Sequence, residues 1–483
     1  NTTTVNRWAT ATAGPWTLAW VNGNDTAENS SATANITLGA NITLGGFTQK
    51  AGGTFAGNSN SIEQGSGPFT LTLGISGANT FLAAASSTTG RFLVVNAAIA
   101  GGADKNLVLA GPGTSGTGII FLGRANTFSG TTSFSAGATG GIGVYLRHQL
   151  ALQNSTVILS SDAGLVFDSS VAANAFTFGG LTAGSAGTGS NIALQNSAST
   201  PIALTVGGNN SNTTYAGVLS GGGSLIKTGS GTLILPGTNT YGGNTTVSAG
   251  TLQVDGSTAS PTAVNSGATL AGDGLVNAAV TVAAGGSLTA GNGTSGNLIV
   301  SNLTFNGAGT IHVGTLSGYT SVAAIKVNNV LTVSGGAGAV TLNLPTTLGF
   351  NGSFHLMQFG SGLANTSGFT LGTVPTLAWN QTGALQVNGN YLDYVITAAG
   401  DTTPPTLASI LPANNATNVL AAAALVATFN ETVVPGTGSI ELRRSSDAGL
   451  VESYNVTSSP RLTFSTAQLI IQPTNVLPIG QYY

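Results

Sequence analysis

The segment that decides the fold runs from Leu225 to Val254 and reads LIKTGSGTLILPGTNTYGGNTTVSAGTLQV. Short alternating stretches, such as Thr232 to Leu235 and Thr251 to Val254, are separated by turns rich in glycine, asparagine and threonine. Alternation of apolar and polar side chains with a period of two indicates a half-buried strand. The segment therefore predicts strands joined by tight turns, and it has no helical periodicity.

A leucine recurs at a nearly constant interval beyond this segment. Leu233, Leu252, Leu270 and Leu288 lie 19, 18 and 18 residues apart. A fixed period of short strands is typical of a solenoid, and a strand that returns in register after each coil advances one strand spacing, about 4.8 Å. The sequence thus predicts an all-β chain in which residues 1–400 form a right-handed parallel β-helix with an N-terminal cap.

The composition agrees with a stacked β fold and excludes several other classes of protein. Glycine accounts for 72 of 483 residues and charged side chains for 5%, against roughly 7% and 25% in ordinary globular proteins. The 11 basic residues are too few and too scattered to bind nucleic acid. The longest apolar run, Val419 to Ala427, is far shorter than the roughly 20 residues of a membrane-spanning helix. Cysteine is absent, which excludes disulfides and thiolate metal sites.

The composition changes at Asp401. Proline becomes frequent, and eight charged residues fall within residues 401–483. Short alternating stretches separated by turns are typical of an antiparallel sandwich. Residues 401–483 are therefore predicted to form a small β-sandwich with five strands, which we expect at Leu425–Phe429, Ser439–Leu442, Val451–Val456, Arg461–Phe464 and Gln468–Ile471.

The first segment resembles the autotransporter-associated β-strand repeat. Degenerate copies occur at Gly77–Phe81 and at Ala125–Thr132, the second continuing to Gly137. The resemblance extends over residues 1–400 and implies a β-helix that belongs to a large, secreted bacterial surface protein. The motif positions are Lys227, Gly229, Gly231, Asn239, Tyr241, Gly243 and Gly250.

Residues 401–483 resemble a bacterial Ig-like domain of the kind found in S-layer proteins and adhesins. The resemblance rests on Asp401, Pro404, Pro405, Pro412, Ala416, Thr417, Val419, Ala427–Glu431 and Val433, and on the later stretches Leu469–Pro473 and Gly480–Tyr483.

The chain departs from both families at its end. No translocating barrel follows, and the Ig-like module stops at Tyr483, where the family continues into a further strand. One interpretation is that the remaining residues are disordered, cleaved or not included. The other is that a neighbouring subunit supplies the missing strand by β-strand addition and builds a head-to-tail filament. The subunit interface would then involve Asn1, Thr2, Thr3, Thr4, Val5 and Asn6 as donor and Tyr482 and Tyr483 at the receiving end.

Side chains capable of catalysis or metal binding are sparse. Asp162 and Asp168 are a pair of acids six residues apart on one stretch, for which turn capping is the favoured role. Three histidines are widely separated along the chain, so no local metal spacing exists. We predict no catalytic, metal or cofactor site. The histidines are His148, His312 and His355. The other acids are isolated or sit beside glycine, as turn residues do: Asp25, Glu28, Glu63, Asp104, Asp255, Asp273 and Asp393. Weak calcium candidates are Asp401, Glu431 and Asp447.

Two groups of aromatic residues leave alternatives open. Arg7, Trp8, Trp16 and Trp20 near the N-terminus suit a terminal cap, and also a stacking platform for sugars. Four tyrosines are equally compatible with inward stacking and with an exposed sugar-binding row: Tyr145, Tyr215, Tyr241 and Tyr319.

The sequence as a whole predicts a nonenzymatic, extracellular bacterial structural protein, a subunit of a surface fibre or an adhesive stalk that associates with itself. The alternative is a cell-surface protein that binds or processes a carbohydrate.

Overall fold

A computed structural model describes a chain built from strands. The residues described are 26–29, 35–38, 40–49, 59–64, 66–83, 91–111, 118–135, 142–160, 164–183, 190–290, 296–314, 321–346, 352–377, 381–398, 404–414, 416, 419–420 and 422–474. Within these ranges the chain forms 44 strands and no helix. No helix there is long and apolar enough to cross a membrane. The strands fall into two units, Asn1–Ala398 and Ala399–Tyr483.

One long parallel sheet runs through the first unit. Each of its strands pairs with the strand that occupies the same place in the next coil. In order along the sheet these strands are β1 Thr26–Asn29, β4 Gly46–Gln49, β7 Gly77–Ala83, β10 Lys105–Ala110, β12 Thr131–Ser135, β14 Leu152–Leu159, β16 Ala175–Ala183, β18 Ala203–Val206, β21 Ser224–Lys227, β24 Thr245–Val247, β27 Thr262–Val264, β29 Leu275–Ala283, β31 Leu298–Asn306, β33 Ile325–Ser334 and β35 Gly352–Ser361.

Shorter parallel sheets complete the coils. A six-stranded sheet contains β2 Asn35–Thr37, β5 Ser59–Glu63, β8 Arg91–Asn96, β11 Gly118–Leu122, β13 Ile142–Leu146 and β15 Leu165–Phe167. An eight-stranded sheet contains β19 Thr213–Thr214, β22 Thr232–Leu235, β25 Gly250–Val254, β28 Ala268–Gly272, β30 Gly286–Ala290, β32 Gly309–Val313, β34 Val340–Asn343 and β36 Phe369–Leu371. The remaining short strands are β3 Ile42–Leu44, β6 Thr70–Leu73, β9 Ala98–Ala100, β17 Ile192–Ala193, β20 Leu219–Ser220, β23 Thr238–Asn239 and β26 Ser257–Thr258.

The predicted parallel β-helix is confirmed. β21, β22 and β23 of one coil pair in parallel with β24, β25 and β26 of the next, so a coil contains three strands. The predicted leucine ladder also exists, because Leu233, Leu252, Leu270 and Leu288 are successive partners in the eight-stranded sheet. The ladder then continues through Ile311, Leu342 and Leu371.

Coil length is regular only in the middle of the unit. Lys227, Val247, Val264 and Val282 are successive partners, at intervals close to the predicted period. Phe47 and Phe81 are also partners on neighbouring coils, although the segment between them is nearly twice as long as one predicted coil. Coils of different length remain compatible with one sheet because loop insertion adds little entropic cost to folding.

Inward side chains stack in columns and form one continuous core. Phe178, Val206, Lys227 and Val247 occupy successive positions of one column. One outward column of the eight-stranded sheet carries hydroxyl side chains: Thr232, Thr251, Thr269, Ser287, Thr310, Thr341 and Thr370. Uncharged side chains of one kind stack without the repulsion that like charges would cause on adjacent strands.

An antiparallel hairpin follows the last parallel coil. Its strands are β37 Gln381–Asn388 and β38 Tyr391–Ala398, and β38 also pairs antiparallel with β35. Leu392, Tyr394 and Ile396 of β38 are buried in the core. The hairpin therefore covers backbone groups that would otherwise form an open sheet edge. The predicted N-terminal cap, with Arg7, Trp8, Trp16 and Trp20, lies outside the described residues.

The second unit contains two antiparallel sheets, as expected of an Ig-like sandwich. The larger has the order β39 Leu407–Leu411, β40 Leu425–Phe429, β44 Gln468–Ile471 and β43 Leu462–Ser465. The smaller is a hairpin of β41 Ser439–Arg443 and β42 Leu450–Asn455. Burial in this unit is shallow, and Tyr454 and Leu469 are its buried large apolar side chains among those described.

Candidate functional site

Lys227 is a buried cation in the core column of the long sheet. Its side chain lies between Val206 and Val247 and is 1% exposed. The ammonium donates hydrogen bonds to the carbonyl oxygens of Thr228, Gly229 and Ala249 at 2.7, 3.0 and 3.2 Å. It therefore joins the turn of its own coil to the turn of the next coil. Burial lowers the pKa of Lys227 to about 8, from an ordinary value of 10.5.

This pKa gives a testable pH dependence. Between about pH 8 and 10.5 the unfolded chain holds the Lys227 proton and the folded chain does not, so the free energy of unfolding rises with pH over this interval. Below pH 8 the ammonium is charged in both states and the contribution is constant. We expect the urea midpoint of the native chain, measured relative to Lys227→Met, to be higher at pH 9.5 than at pH 7. Lys326→Met, at a less buried position on β33, serves as control. An equal difference in urea midpoint between the native chain and Lys227→Met at both pH values would contradict the prediction.

Asn239 ties three coils together through its side-chain amide. The Oδ1 atom accepts from the Leu219 N–H of the preceding coil at 2.9 Å, and Nδ2 donates to the Gly237 carbonyl at 3.0 Å and to the Ser257 carbonyl of the next coil at 3.2 Å. Asn79 and Asn126, in the two degenerate copies of the motif, are also buried and also bond backbone groups of neighbouring coils. The motif asparagine is thus a clamp between coils.

The motif tyrosine points inward. Tyr241 is fully buried, and its hydroxyl lies 2.5 Å from Thr245 Oγ1, which lies 2.8 Å from Ser260 Oγ. Burial raises the pKa of Tyr241, so the phenol stays protonated and available for hydrogen bonding. Tyr215 is also buried, and it donates to the Ser190 carbonyl at 2.5 Å.

Of the four candidate tyrosines, these two are therefore inward. Tyr145 is the outward one, and Tyr319 lies outside the described residues.

Motif glycines allow the coils to approach closely. A Cβ on Gly231 would lie 2.4 Å from the Ser211 oxygen, and one on Gly243 would lie 2.3 Å from the Gly223 oxygen, both on the preceding coil. No side chain fits in that space. The motif therefore specifies close stacking of coils, and its residues serve folding.

Asp168 is placed at a turn. It accepts from the Ser170 N–H at 2.9 Å and from Arg147 Nε at 3.1 Å. Burial works against the charged form, but these hydrogen bonds hold the pKa of Asp168 below its ordinary value. Its predicted neighbour Asp162 lies outside the described residues.

Three acids that the sequence presents as isolated are not isolated. Asp393 is 1% exposed and accepts from Ser353 Oγ at 3.0 Å and Asn388 Nδ2 at 2.8 Å, and it lies 2.7 Å from His355 Nδ1. Asp255 and Asp273, on neighbouring coils, also interact: burial and the Asp255 carboxylate raise the pKa of Asp273. The prediction of a turn residue was wrong for Asp393, which lies within β38. Asp255 and Asp273 lie between strands beside Gly256 and Gly274, and stacking brings them together although they are distant along the chain.

The cluster around Asp393 does not have the geometry of a nucleophilic triad. The Ser353 hydroxyl donates to the carboxylate, whereas a triad serine donates to the imidazole. The His355 ring stacks on Tyr391 with centroids 4.2 Å apart. The arrangement satisfies a buried carboxylate with several donors.

The other predicted residues are dispersed. His148 Nδ1 accepts from the Leu150 N–H at 3.1 Å, and His312 faces Asn343 at 3.5 Å. Within the described residues no three acids or histidines come close enough to hold a metal ion. Asp447 pairs with Arg444 at 3.1 Å. Asp401 and the predicted interface residues Asn1, Thr2, Thr3, Thr4, Val5, Asn6, Tyr482 and Tyr483 lie outside the described residues.

Sequence reasoning missed an aromatic row on the outside of the six-stranded sheet. Phe92, Phe121 and Tyr145 lie on β8, β11 and β13, with ring centroids 5.7 Å and 5.0 Å apart between successive rings. Arg147 Cζ lies 3.6 Å from the centroid of the Phe121 ring. One signal was present in the sequence: Phe92 to Val95 and Ile119 to Leu122 are continuous apolar runs, which indicate strands covered on both faces.

Comparisons with known proteins agree with the motifs. The passenger-associated-transport-repeat family matches residues 115–138 and 225–254, and a bacterial Ig-like domain family matches residues 401–483. The predicted repeat at 225–254, its copy near residue 126 and the predicted Ig-like domain are therefore confirmed.

Two curated proteins share segments with this chain. An adhesin autotransporter, BmaC, of Brucella suis biovar 1 is 40% identical over 100 residues, which are 19% of this chain and 3% of that protein. An extracellular serine protease of Serratia marcescens is 49% identical over 75 residues, which are 16% of this chain and 7% of that protein. The matched segments thus span a small part of either relative.

Proposed function

We propose that this chain, which carries passenger-associated transport repeats and a bacterial Ig-like domain, is a nonenzymatic structural segment of a secreted or cell-surface bacterial protein. It serves as a stalk that holds binding surfaces away from the cell, or as a subunit of a surface fibre. The repeats and the two relatives, an adhesin and an extracellular enzyme, support the extracellular location.

The observation that carries this proposal is the continuous parallel pairing of the long sheet, which persists across local register shifts. Parallel pairing continues coil after coil from β1 to β35, and the inward residues form one core throughout. Stacked backbone hydrogen bonds with few charged groups make a stiff, protease-resistant support. The polar groups of the motif, the Lys227 ammonium and the Asn239 amide, are used in contacts between coils.

The Ig-like unit supports the fibre form of the proposal. Its edge strand β39 pairs with β40 alone among the described strands, and Leu407, Ile410 and Leu411 on it are 57%, 43% and 66% exposed. An exposed apolar edge accepts an added strand readily. In the fibre, the Asn1–Asn6 segment of a neighbouring copy adds to this unit, and repetition of the contact produces a head-to-tail polymer.

Electron microscopy tests the fibre form. The purified chain, a variant that lacks residues 1–12, and Ile410→Lys on the exposed edge are imaged at the same micromolar concentration. Filaments with a constant axial repeat, lost in both variants, are expected. Single particles in all three samples would contradict strand donation. The stalk would then be the remaining form of the proposal.

The nonenzymatic role is tested separately with activity assays. Asp393→Asn and Asp273→Asn remove the two acids with the most unusual surroundings. We expect the native chain to show no hydrolysis of peptide or polysaccharide substrates. An activity that either substitution abolishes would overturn this part of the proposal.

A further inference from the structure

The six-stranded sheet has an apolar outer surface, unlike its neighbours. Leu93, Ile120 and Val144 are fully buried in the core. Because side chains alternate along a strand, the residues between them face outward. These outward residues, which we term the outer aromatic face, are Phe92, Val94, Ile119, Phe121, Tyr145 and Val166.

The contrast with the eight-stranded sheet makes this surface unusual. There the corresponding outward column consists of Thr251, Thr269, Ser287 and their partners, which are compatible with water. On the outer aromatic face, Phe121 is only 8% exposed although it points away from the core, because neighbouring rings and Arg147 cover it. Phe92 and Tyr145 remain partly exposed. The face therefore presents half-buried apolar side chains where the eight-stranded sheet presents hydroxyl groups, which makes it a candidate binding surface.

Charged side chains of both signs border this face along one edge, where Glu63 ends β5 and Asp168 follows β15. Arg124 follows β11 and Arg147 follows β13, and parallel strands place their carboxyl ends on the same edge of a sheet. Arg147 is paired with Asp168, with its side chain 40% exposed. Arg124 is exposed and donates its Nε to the Asn96 carbonyl at 3.0 Å, and it has no carboxylate partner among the described residues.

The histidine at this edge adds no charge at neutral pH. Burial, and the nearby Arg124, lower the pKa of His148, and its Nδ1 atom accepts a hydrogen bond from the Leu150 N–H. Arg124 is therefore the exposed cation of this edge that no carboxylate pairs with among the described residues, in a chain that has only 11 basic residues.

We propose that the outer aromatic face and Arg124 form a binding site for an acidic polysaccharide. The partly exposed rings of Phe92 and Tyr145, on either side of the covered Phe121 ring, offer apolar surface for the C–H faces of sugar rings in a chain that runs across the strands. A guanidinium binds a carboxylate through two parallel hydrogen bonds, so Arg124 suits a uronate group on that chain. This inference does not depend on polymerisation and goes beyond the structural role proposed above.

Affinity electrophoresis of the full chain tests the site. Native gels contain either polygalacturonate, an acidic polymer, or dextran, a neutral one. We expect polygalacturonate to retard the native chain, and Tyr145→Ser to weaken that binding about 30-fold, the size of effect expected for an aromatic hot spot. Arg124→Gln is expected to weaken binding to polygalacturonate about tenfold without changing the behaviour in dextran.

The matched control removes a tyrosine outside the site. Tyr391→Ser deletes a ring that stacks on His355 near the end of the first unit, and it should bind polygalacturonate as the native chain does. Circular dichroism identifies any variant that fails to fold, and Arg124→Gln, at an exposed position, keeps the test decisive if Tyr145→Ser does not fold.

Three results would overturn the inference. The first is a native chain that polygalacturonate does not retard, and the second is retardation that persists undiminished in folded Tyr145→Ser and in Arg124→Gln. The third is self-association in sedimentation velocity that Tyr145→Ser abolishes in the absence of glycan, because this would assign the face to a second copy of the chain.

Discussion

Replacing Asn239 by alanine is expected to lower the free energy of unfolding by about 4 kcal/mol, because three backbone groups lose their partner in a buried place. These are the Leu219 N–H and the carbonyls of Gly237 and Ser257, on three successive coils. Each buried group left without a hydrogen bond costs about 1 to 3 kcal/mol. Urea unfolding monitored by circular dichroism measures the change.

A nearby asparagine that is not a motif position provides the control. Asn244 has an exposed side chain on the same coil, and Asn244→Ala should change stability by less than about 0.5 kcal/mol. Hydrogen exchange of Leu219 N–H should accelerate in Asn239→Ala and stay unchanged in Asn244→Ala. Equal urea midpoints for the two variants would show that the amide does not clamp the coils.

The repeat could be predicted from the sequence because its period is nearly constant from Leu233 to Leu288. The intervals between Leu233, Leu252 and Leu270 equal the length of one coil, since these residues are partners on successive coils in the structure. The role of Asn239 could be located but not explained from sequence, since its partners Leu219 and Ser257 are identified only once the coils are stacked.

The clusters and the outer aromatic face could not be predicted, because the coils that carry them differ in length. Phe121 and Tyr145 are partners on neighbouring coils, as Leu252 and Leu270 are, but the interval along the chain is clearly longer for the aromatic pair. A search at a fixed period therefore misses the aromatic row. In the same way, His355 and Asp393 meet through an antiparallel hairpin that ends the repeat, so the period carries no information about them.

The direction of a side chain was also uncertain where strands are very short. Tyr241 follows β23, which spans only Thr238–Asn239, so there is too little alternation to tell inward from outward. Tyr145 lies inside the longer strand β13, between buried Val144 and Leu146. Its outward direction follows from alternation once that strand is known.

Gly229→Ala is expected to destabilise the chain by about 4 kcal/mol, from two separate causes. Gly229 has φ of +67°, a left-handed conformation that costs an L-residue about 1 to 2 kcal/mol. A Cβ there would also lie 2.0 Å from the Gly207 oxygen of the preceding coil, and relief of such a contact by backbone movement costs about 1 to 3 kcal/mol more. Urea unfolding of the full chain measures the loss.

The movement would also reach the buried ammonium, because the Gly229 carbonyl accepts a hydrogen bond from Lys227 and the same oxygen lies 2.4 Å from where a Cβ on Gly250 would be. Gly242→Ala is the matched control, since a Cβ on Gly242 meets no atom within 4 Å. We expect the urea midpoint of Gly242→Ala to equal that of the native chain. An unchanged urea midpoint for Gly229→Ala as well would show that close stacking of successive turns is not the reason for the motif glycines. The coils would then have to be more loosely packed than the carbonyl contacts at Gly229 require.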